Sequence, residues 1–174
     1  MSTSAIVMGI IAIVLLLAFS AFFSGSETAL MAVSRIRLKH LAKTKPRRTK
    51  LIEGMLHKPE RLIGTILLGN NLVNVAMSAI ATAIAITLWG DKGIAYVTGI
   101  LTFTILVFAE ITPKVYAKYF NERVSLITAP ILRAIMIVFN PIVVAVTFVA
   151  NKLLLLLGID VSKIKKISPL IVFL

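Results

Sequence analysis

Five oxygen-bearing side chains, Ser20, Ser24, Asn70, Asn74 and Glu110, interrupt stretches of sequence that are otherwise long and apolar. Ser20 and Ser24 are four residues apart, as are Asn70 and Asn74, so on a helix each pair shares one face. Ser78 extends the asparagine face by a further turn, and Gly69 beside it lets a second backbone or an ion come close. Gly25 permits a bend after the serines, and Ser26, Glu27 and Thr28 are placed to cap a following helix. The expectation there is helix, polar break, helix. Glu110 stands three residues before Pro113, which has no N–H, so the carbonyl of Ala109 is expected to lose its helical donor and face a cavity or an ion.

Hydroxyl, amide, carbonyl and carboxylate oxygens point to a hard cation such as Mg2+, Ca2+ or Na+. Ligand type alone does not separate these ions. Soft-metal or thiol chemistry is excluded, because the chain has no cysteine and both histidines, His40 and His57, lie in a basic segment outside the apolar stretches. An intramembrane hydrolase is disfavoured for want of a suitable base, and Ser24-Gly25-Ser26 is not a nucleophile elbow. Plainer uses exist for the same residues. Asparagines at depth glue helices together for about 0.6 kcal/mol each in one measured case. Glu110 has Lys114 one turn away as an ion-pair partner.

The elements that must carry these groups follow from composition. Of 174 residues 59% are hydrophobic, and the mean hydropathy is +0.99. Residues 4–23, 62–89, 94–119 and 126–157 are each apolar nearly all round. Crossing a bilayer takes about 20 such residues, so the chain is an integral membrane protein. The first stretch has no basic region before it and no small-residue cleavage site after it, so it is expected to be retained. Net charge is +12, and residues 35–61 hold ten of the nineteen Lys and Arg. A basic run beside a span marks the cytoplasmic face and its anionic lipids rather than a nucleic-acid surface.

That assignment sets the expected topology. The N-terminus is outside, residues 35–61 form two short juxtamembrane helices broken near Lys45-Pro46, and the loop at Gly90-Asp91-Lys92-Gly93 is outside. A fourth crossing would carry Lys163, Lys165 and Lys166 outward, against the positive-inside rule. Residues 126–157 also contain Pro130 and Asn140-Pro141. The predicted architecture is therefore all-α integral membrane: three transmembrane helices with polar breaks, short juxtamembrane helices, and a bent or re-entrant belt helix on the cytoplasmic side, with the C-terminus cytoplasmic. Residues 161–174, ending SPLIVFL, read as a truncated or vector-derived tail.

The motifs FSGSETALMAVSRIRLKHL, LLGNNLVN and FAEITPK, in this order, resemble the DUF21 transmembrane domain of the CorC/CNNM (cyclin M) family of magnesium transporters. The similarity reaches to about residue 160. It implies Mg2+ export, coupled to Na+ entry, from a cell membrane. It also implies a homodimer formed through this domain and a following cytosolic CBS pair that binds ATP. By the same resemblance Ser20, Ser24, Gly69, Asn70, Asn74 and Glu110 form the metal site, with Gly25, Ser78, Ala109 and Pro113 as secondary candidates. No catalytic residue is expected. The rival reading is a membrane anchor that positions a cytosolic Mg2+ sensor without moving ions.

Overall fold

The computed structural model describes residues 2–157, and every regular element among them is a helix. The tail expected at 161–174 lies outside the described residues. α1 runs Thr3–Ala32, with the Ser2 hydroxyl accepting from the N–H of Ala5 as its cap. Two short helices follow, α2 (Arg35–Thr44) and α3 (Pro46–Leu56), and then the long α4 (Pro59–Trp89). α2 stops at Lys45 because the next residue is proline, which disfavours helical backbone before it and is at ease in the first turn after it. Lys58-Pro59 repeats the device at the start of α4. Gly90, at φ 65°, closes α4 in a conformation that a side chain would oppose.

The third apolar segment comprises α5 (Lys92–Thr104), a π-helical segment at Ile105–Ile111 and α6 (Thr112–Tyr119). α7 (Asn121–Leu156) completes the described chain. Four helical stretches, Thr3–Ala32, Pro59–Trp89, Lys92–Tyr119 and Asn121–Leu156, are long and apolar enough to cross a membrane. Together with the outward-facing isoleucine, leucine and phenylalanine side chains, they define an all-α membrane protein.

Several expectations are corrected here. α1 does not break at Ser24-Gly25; it continues to Ala32, and the residues expected to cap a second helix bond back to their own, Ser26 Oγ to Phe22 O at 2.6 Å and Thr28 Oγ1 to Ser24 O at 3.2 Å. α4 likewise runs unbroken through Gly69. Only the third segment is irregular. The expected belt is one 36-residue helix that keeps Pro130 and Pro141 inside it, and by length and composition it is a fourth candidate span where three were predicted. Pro130 cannot donate to Leu126 O, and the Arg48 guanidinium of α3 donates to that carbonyl at 3.1 Å, so the helix continues with its orphaned acceptor satisfied.

The core explains the juxtamembrane helices. Phe23, Leu30, Leu38, Ile52, Met55, Leu62, Ile66, Leu126, Leu132 and Met136 form one buried cluster drawn from α1, α2, α3, α4 and α7. Leu38, Ile52 and Met55 therefore face protein rather than lipid, while Ile36 stays 73% exposed. Burying a side chain of this size contributes about 1.5–3 kcal/mol. Arg37 of α2 also pairs with Glu122 in the first turn of α7, and the bond and attraction to that carboxylate raise the pKa of the guanidinium.

Candidate cation site

One helical turn above Phe23, α1 presents Ser20 to α4. Ser20 is fully buried, and its hydroxyl lies 2.7 Å from Asn70 Oδ1 and 2.9 Å from Asn74 Oδ1. The spacing of four puts both amides on the same strip of α4, which is why a single hydroxyl reaches both. Asn70 turns its Nδ2 the other way and donates to Glu110 Oε1 at 3.1 Å, which fixes its carbonyl oxygen toward Ser20. Glu110 in turn holds Lys114 Nζ at 2.7 Å through Oε2. Groups from α1, α4 and the third segment thus meet in one polar chain.

Oxygen atoms crowd at the Ser20 end of this chain. A hydroxyl has one proton, yet two carbonyl oxygens lie within bonding distance of Ser20 Oγ. Turning the Asn74 amide over would relieve the crowding by letting its N–H donate to the hydroxyl. One turn further along α1, the Ser24 hydroxyl is 1% exposed and lies toward the Glu110 carboxylate, short of full hydrogen-bond geometry. A buried unsatisfied hydroxyl costs about 1–3 kcal/mol, and an ion or its water would remove that cost. Glu110 is the single carboxylate in the cluster, and no group of three or more His, Cys, Asp and Glu side chains occurs among the described residues. Neutral oxygens with one carboxylate suit a hard cation that keeps part of its hydration.

The π-helical segment sets the angle of Glu110. Thr112 N–H reaches Val107 O, five residues back rather than four, so the third segment is rotated relative to a regular helix just where the carboxylate sits. In that register the donor position for Phe108 O is Pro113, which has no N–H. Phe108 O therefore loses its donor in that register, beside the Ala109 carbonyl that was expected to be free. Ala109 itself is fully buried.

The remaining candidates fall into place differently. Gly69 belongs to an unbroken helix, and a β-carbon there would run into the Phe23 ring, so its role is to seat that ring beneath the polar groups rather than to offer a carbonyl. Gly25 packs against the third segment, where a β-carbon would meet Pro113 O at an ordinary contact distance of 3.7 Å, so the approach does not require glycine. Ser78 is exposed on α4 and takes no part in the cluster. Two features were not anticipated. Phe23 is signalled only by a glycine in mid-helix, and the π register only by Pro113 after an apolar run.

Fold and site define a multi-pass helical membrane protein with a polar, oxygen-lined cluster between its helices. The family comparison agrees with that class and narrows it. Residues 10–169 match the cyclin M transmembrane N-terminal domain, and the chain belongs to that family. It is 44% identical over 140 residues to a UPF0053 inner membrane protein of Escherichia coli, covering 80% of this chain and 33% of that one. A UPF0053 protein of Haemophilus influenzae is 40% identical over 157 residues, covering 90% of this chain and 37% of its own. A chloroplastic DUF21 domain-containing protein of Arabidopsis thaliana is 31% identical over 144 residues, 83% of this chain and 22% of the plant protein. The chain thus spans about a third of the length of the bacterial relatives it matches.

Proposed function

We propose that this domain carries Mg2+ across the membrane, binding it among Ser20, Ser24, Asn70, Asn74 and Glu110. The observation that supports the reading most is the meeting of Ser20, Asn70, Asn74 and Glu110 from three separate helical segments. Neutral oxygens would replace part of the ion's hydration shell and Glu110 would balance part of its charge. Mg2+ loses water reluctantly, so a site that keeps some of it releases the ion more readily than a full protein cage. The direction proposed is export, in exchange for Na+, with the pocket opening alternately to the two sides. Because α1 and α4 are continuous, the moving part is placed in the third segment, where the π register gives the backbone a second arrangement to adopt. The orientation proposed has the N-terminus outside and the basic α2 and α3 in the cytoplasm. A homodimer through this domain and an ATP-binding CBS pair after it belong to the same reading.

The experiment is Mg2+ flux through the purified protein in liposomes carrying an internal Mg2+ dye. Wild type is expected to move Mg2+, and Glu110→Gln to reduce flux at least about tenfold while keeping the helical spectrum, as removing an intramembrane charge from its role should. One observation favours a second reading, in which the domain anchors a sensor and moves nothing: the same polar groups already bond to one another and could be interhelical glue. Liposomes without flux above the protein-free control would select it.

A further inference from the structure

We propose that Lys114 is a tethered counter-cation, which fills the acidic side of the pocket when no ion is bound and steps across to Glu27 on α1 when one enters. The inference rests on the cation-binding reading above and adds two residues to it. Both carboxylate oxygens of Glu110 are already engaged, Oε1 by the amide of Asn70 and Oε2 by the ammonium of Lys114 at 2.7 Å. A metal ion approaching Glu110 shares the carboxylate with both of them through that group's remaining lone pairs. The amide is neutral and turns about its own bond, but an ammonium and a divalent ion on one carboxylate repel each other strongly where little water screens them. Lys114 must therefore leave as the ion arrives.

The structure offers it a destination. Its side chain is 42% exposed and ends a flexible four-carbon stem, so it is free to swing. Glu27 lies on the next half-turn of α1 after Gly25, which packs against Pro113 and Ala117 on either side of Lys114 in sequence, and it is within electrostatic reach of the ammonium. Among the described residues Glu27 has no ion-pair partner, whereas Glu110 already has one. Moving the ammonium from the occupied carboxylate to the vacant one exchanges one cation for another at Glu110, so that carboxylate is compensated at both stages. The tether lowers ion affinity, because the binding-competent state is only the fraction of molecules in which Lys114 has left Glu110.

Calorimetric titration of the purified chain in detergent micelles with Mg2+ alone tests this. Lys114→Met is expected to bind Mg2+ about tenfold more tightly than wild type, which corresponds to the lysine holding Glu110 in about nine molecules of ten. Glu27→Gln is expected to bind about threefold more weakly, since the displaced ammonium loses its second seat, and the effect should vanish when combined with Lys114→Met. Lys114→Arg keeps charge and bulk and is expected to gain nothing, with thermal unfolding in Mg2+-free buffer confirming that each variant is folded. Equal or weaker binding by Lys114→Met beside a wild type that binds would overturn the counter-cation. A Glu27→Gln effect that persists without the lysine would remove Glu27 from the exchange. Absence of binding in wild type and all variants would sink the cation site itself, and the lysine's role with it.

Discussion

α1 passes Ser20 and Ser24 without any disturbance of the helix, whereas the third segment changes to a π register on reaching Glu110. Both contribute to the same polar cluster. The difference lies in what each side chain asks of its backbone. A serine on the face toward α4 reaches its partners from a regular helix, because its hydroxyl is short and the asparagines opposite supply the length. A carboxylate followed by proline has neither a regular hydrogen bond beneath it nor an angle set by helical spacing. The neutral wall is held in place by packing, with Phe23 seated against Gly69 below it, and the charged wall by a register that the sequence barely favours.

The contrast can be broken at the proline. Pro113→Ala restores an N–H and lets the third segment relax to a regular helix, which turns Glu110 by about 100° around the axis. Mg2+ binding is expected to fall about a hundredfold while thermal stability holds or rises, since alanine suits a helix interior better than proline by about 3 kcal/mol. Unchanged affinity would show that the register does not aim the carboxylate. Asn74→Ala removes one neutral oxygen and leaves the backbone alone, so it should weaken binding only about tenfold, or about 1.4 kcal/mol. Ser78→Ala, one turn along the same helix but exposed, is the matched control and should change nothing. Equal losses in both would argue for a general effect on α4. The smallest effect is expected away from the pocket. Arg48→Met strips the donor from Leu126 O and should cost about 1 kcal/mol in stability with Mg2+ affinity intact.

The side chains of the site could be read from the sequence because their spacing is local. Ser20 and the pair Asn70 and Asn74 share faces on any helix, so their meeting needed only that α1 and α4 be neighbours. What the sequence did not show depends on contacts made elsewhere. Ser24-Gly25-Ser26 looks like a break, but inside a buried helix the Ser26 hydroxyl bonds back to Phe22 O and glycine is tolerated against Pro113. Pro130 looks like a kink, and the remedy for its missing bond comes from Arg48, distant in sequence. The apolar side of residues 35–61 was visible as a pattern, but whether it met lipid or protein was settled by Phe23, Leu62 and Leu132 closing over it. The π register at Ile105–Ile111 has Pro113 as its one local sign, and a proline after an apolar run is equally compatible with a simple kink.

Anomalous diffraction from crystals grown with Mn2+, a stand-in for Mg2+ with the same preference for oxygen, tests the cation site most directly. The account predicts a single peak in the space bounded by Ser20, Asn74 and Glu110, within about 2–2.5 Å of at least two of their oxygens, with the Lys114 ammonium withdrawn from Glu110. A peak confined to the surface, or none while the Ser20, Asn70 and Glu110 hydrogen bonds persist unchanged, would contradict it.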